Sequence, residues 1–379
     1  MLKETMTARE RMEAAVKLER LDRIPCAPLM DIYFPSRHKG WSTAEGLSNM
    51  RKGFQAIADV FEELGGWDGM LLPGYSLPVT PHLHSGIAPG KRVFPGKELG
   101  KNDLTQYDEQ VVLTHDDYEQ IVNLGWNGFL EKNRERFNPL PAERIIGWAQ
   151  NQMEQYKYEI EFWKTRGVRT LSGALTQSPL MILSITRSLL EMTKDIYRIP
   201  DKVEAVMDAM VDDLIADAIE AARISGEPGV MLIMERGGGF YYSLKIYERF
   251  EYPYMKKMVE AFAREGLITV MHLDQDYTLN LPYFKDLPPK MVVCELDSTT
   301  DIFRAKEILK GHMCIAGDVP AALTSLGTPE EVEAYCRKLI DVVGEGGGFI
   351  LSSGCTVPVD CKIENLAAMV KTAKTYNPH

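Results

Sequence analysis

Hydrophobic and polar positions alternate in blocks along most of this chain. Short apolar or β-branched runs fall near residues 24–30, 68–73, 168–175, 229–234, 267–273, 290–296, 312–316 and 348–352. Each is too short for a buried helix and rich enough in Val, Ile and Leu for a buried strand. Apolar residues at three- and four-residue spacing follow several of them and predict helices over 252–264, 301–309, 329–343 and 363–375. A first helix is expected over 7–18, with Met12, Ala15 and Val16 on one side and Arg9, Glu10 and Arg11 on the other, stopped by Pro25. Strands alternating with helices specify βαβ units and a parallel sheet. Eight such units predict an α/β fold of the closed (β/α)8 TIM-barrel type, with an open doubly wound sheet as the alternative.

Residues 80–165 break this grammar. Pro, Gly and His cluster in LPVTPHLHSGIAPGKRVFPGK, and an acidic, aromatic-rich helical stretch follows. We expect an excursion that covers the C-terminal mouth of the barrel, within one domain spanning 1–379. The glycine-rich pieces RGGGF and GEGGGF carry no Lys-Ser/Thr, and no GxGxxG follows the first strand. Neither a P-loop nor a dinucleotide fingerprint is present.

Composition narrows the function classes. The net charge of −11 opposes phosphate backbones and anionic lipid, so neither nucleic acid nor a membrane surface is expected as a partner. No apolar run approaches the roughly 20 residues of a transmembrane helix. The first 25 residues lack the apolar centre of a signal peptide, and six irregularly spaced cysteines form no disulfide framework. A reducing, cytoplasmic setting is expected.

Barrel chemistry sits at the C-terminal ends of the strands. There the sequence places Asp31, Gly74-Tyr75, Gln177, Glu235, His272 with Asp274 and Asp276, Asp297, Asp318 and Cys355. Helix capping explains Asp297 and Asp318 as well as any function does. His272 alone fits a buried core histidine, and Glu251 alone fits a complement to the dipole of the helix at 252–264. Glu235, Glu251 and His272 together have the chemistry of a catalytic zinc site, with Cys355 as a fourth ligand or a buried, inert small residue. Cys26, Cys294, Cys314, Cys336 and Cys361 read as packing. His82 and His84 form an HxH pair inside the excursion.

Four segments resemble the uroporphyrinogen decarboxylase superfamily, which includes cobalamin-dependent methyltransferases. They are MTARERMEAAVKLERLDRIP, HLDQD at 272–276, AGDVPAALTSLGTPEEVEAYCRKLI at 316–340 and GGFILSSGCTVPVDCKIENLAAMV at 347–370. The resemblance implies a barrel with its site in the mouth. The Arg-rich loop of the decarboxylases is reduced here to PLMDIYFPSRHKGWS, with one Arg, which argues against a polycarboxylate substrate. Relative to the thiol methyltransferases, which bind zinc through HxC and a later Cys, this chain keeps His272 and Cys355 but has Asp274 for the first Cys. The zinc methyltransferases of anaerobic O-demethylase systems hold zinc through two Glu and one His. Glu251 and His272 keep that spacing, while the 15 residues between Glu235 and Glu251 are one too many.

The likeness thus implies a zinc-dependent methyltransferase that moves a methyl group from a small donor, best an aryl methyl ether, to the Co(I) corrinoid of a partner protein. Asp31, Asp274 and Tyr241 are the candidate proton donors for the leaving oxygen. The corrinoid protein is expected to dock over the mouth, against an excursion bearing Tyr75, His82, His84, Tyr107 and Trp126, although these aromatics equally suit a secondary core. A thiol-side methyltransferase and a metal-free scaffold are the alternatives, with a cofactor-free decarboxylase behind them. A monomer or homodimer is expected.

Overall fold

In a computed structural model of the chain, residues 4–74, 89, 91–137 and 141–378 are described. The strands are β1 (Gly69–Met70), β2 (Lys91–Val93), β3 (Gln106–Asp108), β4 (Arg169–Thr170), β5 (Ala174–Gln177), β6 (Gly229–Ile233), β7 (Ile268–Leu273), β8 (Val292–Leu296), β9 (Cys314–Val319) and β10 (Phe349–Ser353). β5 to β10 lie side by side in chain order, every neighbouring pair parallel. β1 pairs with β4 in parallel, and β4 runs on into β5 through Leu171, Ser172 and Gly173.

The first predicted run, 24–30, joins the two ends of this arrangement. The Leu351 N–H of β10 donates to Pro25 O, and the Ala27 N–H donates back to Leu351 O. On its other side Cys26 O accepts from the N–H groups of Asp68 and Gly69. Backbone hydrogen bonds therefore pass through eight successive runs and return to the first, which is the barrel expected from the sequence. Only Cys26 of the first run forms a bridge, since Pro25 and Pro28 have no N–H to donate to a ladder.

Period-two alternation along the strands divides the core. Met231, Val270, Val293, Ala316 and Ile350 point inward and form one buried cluster with Leu29, Leu71 and Leu171. Their neighbours Val230, Leu232, Met271, Cys294, Ile315 and Leu351 point outward against the helices in a second, larger cluster. Met12 and Val16 of the first helix, Ala8–Val16, close the inner cluster at the N-terminal end.

The excursion serves two places. Its hairpin, β2 against β3, meets the segment that follows the first strand, where the Ala44 N–H donates to Lys101 O. Its helices line the barrel wall: His115–Lys132 packs along Pro200–Ser225, and Ala142–Thr165 leads into β4, with Trp163 donating to Pro73 O at 2.8 Å. Trp126 is fully buried and stacks on Phe129, as expected of a secondary core. Tyr107 is exposed beneath the Arg92 guanidinium. Tyr75, His82 and His84 lie outside the described residues. Among the described residues no helix is long and apolar enough to cross a membrane.

Candidate metal centre

The alternation that fills the barrel also aims its chemistry. In β7, Val270 points inward, so His272 two residues later does too, at the mouth end. In β8 the same step leads from Val293 to Glu295. His272 and Glu295 are direct register partners on these adjacent strands, and the imidazole Nδ1 is hydrogen-bonded to Glu295 Oε2. The other ring nitrogen, Nε2, faces Asp274 Oδ1 at 3.5 Å, Glu235 Oε1 at 3.9 Å and Cys355 Sγ at 4.0 Å. The Cys355 thiol donates to Asp274 Oδ2 at 3.1 Å.

His272, Asp274 and Cys355 thus offer one ligand atom each within 4.8 Å of one another. Zinc bonds of about 2.0–2.3 Å in a tetrahedron put ligand atoms roughly 3.3–3.8 Å apart, close to the spacing found. The charge balance points the same way. Burial alone would lower the imidazole pKa, but Glu295 and Asp274 carry it well above its usual value. Asp274 is desolvated, yet His272 holds its carboxyl below the usual range. Glu235 is pushed up by desolvation, against the pull of His272, and burial raises the Cys355 thiol to about 11. Glu295 is likewise raised by burial. Asp274 Oδ1 and Glu295 Oε1 are buried without a hydrogen-bond partner among the described residues. So many acidic groups around one imidazole form a site short of positive charge, and a divalent cation fits it.

Glu251 is not one of the three residues whose ligand atoms cluster. It stands at the start of the helix Tyr252–Arg264 but makes no capping hydrogen bond. Its fully buried carboxyl accepts from the Ser178 hydroxyl at 3.0 Å, and burial drives its pKa to about 8. Gly237 passes so close that a Cβ there would stand 2.8 Å from the Glu251 carboxyl carbon. Asp31 ends the first strand with its carboxyl bound to the Tyr33 N–H, and burial raises it to about 7. Its strand meets the Cys355 loop, since the Val357 N–H donates to Leu29 O. Tyr241 is half-buried against Phe240 and Tyr242 on the loop after β6. Asp297 accepts from the Gln275 and Thr299 N–H groups, a turn-stabilising role.

Glu295 is absent from the candidates read off strand ends because it lies inside its strand. The available signal was a lone acid within the apolar run VVCEL, since a carboxylate in such a place needs a partner.

Residues 166–376, more than half of the chain, match the family described as uroporphyrinogen decarboxylase (URO-D). The chain belongs to this family. Within it, the methylcobamide:CoM methyltransferase MtbA of Methanosarcina mazei is 29% identical over 176 residues, which is 46% of this chain and 50% of that protein. A uroporphyrinogen decarboxylase of Methylococcus capsulatus is 31% identical over 84 residues, 22% of this chain and 23% of the relative. The chain therefore spans half or less of the length of these curated relatives. The solved structure of a methyltransferase from Methanosarcina mazei superposes with a TM-score of 0.70, covering 97% of this chain and 98% of that one at 17% identity. That likeness establishes the barrel fold. All six of Glu235, Glu251, His272, Asp274, Glu295 and Cys355 fall inside the family-matched stretch.

Proposed function

We propose that this chain is a zinc-dependent methyltransferase that passes a methyl group from a small methylated donor to the cobalt of a corrinoid held by a partner protein. The observation that carries this reading is the cluster of His272, Asp274 and Cys355 at the barrel mouth, with Glu235 beside it. The likeness to the methylcobamide:CoM methyltransferase MtbA supports the methyl and corrinoid chemistry.

His272 Nε2, an Asp274 oxygen and Cys355 Sγ would hold the ion, and Glu235 is near enough to join or leave them. Zinc bound there supplies Lewis acidity, which draws charge from a donor oxygen. A hard carboxylate at Asp274, where the thiol methyltransferases have a soft thiolate, favours an oxygen donor such as an aryl methyl ether. In the transfer the methyl C–O bond breaks with its electron pair left on oxygen. Cobalt(I) provides the pair for the new Co–C bond and ends as methyl-cobalt(III). The leaving oxygen needs a proton. Asp31, raised to about 7 by burial at the same rim, holds one near neutral pH, whereas the lowered carboxyl of Asp274 does not. We therefore assign Asp274 to the metal and Asp31 to the proton.

The test is spectroscopic. Zinc-loaded protein mixed with cob(I)alamin and a methoxyarene should consume the Co(I) absorption and produce that of methylcobalamin. One observation favours a second reading: Cys355 and His272 are the part of the thiol-methyltransferase ligand set that this chain keeps, and MtbA is named for transfer to CoM. Demethylation of methylcobalamin by a thiol, with no reaction of any methoxyarene, would replace the first reading with this one. Inertness in both assays together with failure to bind zinc would leave the metal-free scaffold.

A further inference from the structure

We infer that Glu295 is a positioning residue of the metal centre: it fixes the His272 ring so that Nε2, rather than Nδ1, is the coordinating atom. The inference rests on the metal reading of the cluster and adds to it a residue that binds no metal itself.

Glu295 is fully buried and is the penultimate residue of an otherwise apolar strand. Its hydrogen-bonded partner is His272 Nδ1, and its second oxygen has none among the described residues. Isolating a carboxylate in this way costs several kcal/mol and adds nothing to the hydrophobic packing of β8. A Leu or Val would pack as well as Val293 and Cys294 do. What the carboxylate provides is directional. The register pairing of His272 with Glu295 sets the two side chains side by side on the inner face, so the contact is fixed by the sheet and not by a mobile loop. With Nδ1–H given to Glu295, the neutral imidazole has its lone pair on Nε2. That atom is the one facing Asp274, Glu235 and Cys355. The buried negative charge also makes Nε2 a stronger donor, as carboxylate partners of metal-bound histidines do.

Two substitutions separate positioning from mere packing. Glu295→Gln keeps an acceptor for Nδ1–H and removes the charge, while Glu295→Leu removes both. Zinc affinity, measured by competition with a chromogenic chelator, should fall about tenfold in the first and about a hundredfold in the second. The visible spectrum of the cobalt(II)-substituted protein should change most in the Leu variant. The metal-free Leu variant should melt below wild type, because the buried His272 Nδ1–H loses its acceptor, so zinc affinity and the cobalt spectrum of the folded protein carry the test. Zinc affinities within twofold of wild type and an unchanged cobalt spectrum in both variants would overturn the inference. Should either variant fail to fold, Glu295→Asp supplies the same readout, because withdrawing the carboxylate by one methylene must also weaken zinc binding. A wild-type protein that binds no zinc would overturn the metal reading itself, a different failure with a different signature.

Discussion

Glu251 accepts one hydrogen bond, from Ser178, and its other oxygen has no partner among the described residues. Burial raises its pKa from 4.5 to about 8, so the metal-free native chain keeps a proton that the unfolded chain releases between those values. Native protein thus binds more protons than unfolded protein in this window, and stability must fall as pH rises from about 4.5 to 8. Glu251→Gln removes that slope. In the presence of chelator the variant should gain on wild type step by step up to pH 8 and hold a constant lead above it. A pH-independent difference in melting temperature would show that the carboxyl is not buried in its neutral form. Asp31 makes a second pH prediction, through rate. If it donates the proton, methyl transfer should fall about tenfold per unit above its pKa of about 7, and Asp31→Asn should be slow and lack that limb. His272 and Cys355 were legible because neither residue is explained by capping. Asp274 was legible as the residue at the first-Cys position of the thiol methyltransferases and as a candidate proton donor, and the structure adds its contacts to a thiol 81 positions away and to His272. The lone acid in VVCEL signals that Glu295 needs a partner, but sequence alone does not reveal that this partner is His272, its register neighbour.

The strands show why most of the barrel could be read directly. Buried parallel strands are largely apolar on both faces, so β6 to β10 appear as mainly apolar runs near their predicted bounds. The helices Tyr252–Arg264 and Ile363–Thr375 match the predicted spans, since one amphipathic face rests on the sheet. The excursion was harder to read. Its helices have wall contacts on one side and exposed apolar residues such as Val122, Leu124 and Ile146 on the other, which blurs the period. At the opposite end of the barrel, a buried ionic clamp escaped the reading because its members are scattered. Asp68 binds Arg11 at 2.7 Å, Arg23 at 2.7 and 2.8 Å, and the Cys26 N–H at 2.9 Å, all away from water. It therefore pins the first helix and the first strand to β1. Asp68→Ala would leave two buried guanidinium groups without this partner and should cost about 3–5 kcal/mol in urea unfolding. Because the clamp lies at the N-terminal face, zinc affinity at the mouth should stay within twofold of wild type in the folded variant.

The metal cluster lies within the family-matched stretch from residue 166 onward, but the barrel is not confined to it. Residues 166–376 supply six of the eight runs and every side chain of the metal centre. The first half supplies the two runs that stand between β10 and β4, through Cys26 on one side and β1 on the other. Without them, β10 and β4 become edges with unpaired N–H and C=O groups, and inner residues such as Ile350 and Leu171 lose their cover from Leu29 and Leu71. Cys355 would also lose the hydrogen bond from Val357 to Leu29 that steadies its loop. A fragment of residues 166–379 should therefore aggregate or elute as large oligomers, and it should bind zinc weakly even though it contains every proposed ligand. Adding residues 1–165 as a separate chain should restore a soluble species of whole-barrel size with recovered zinc affinity, since the missing runs pair through their backbones. A soluble, zinc-binding monomer from the fragment alone would mean that the site is organised locally and that closure of the barrel contributes nothing to it.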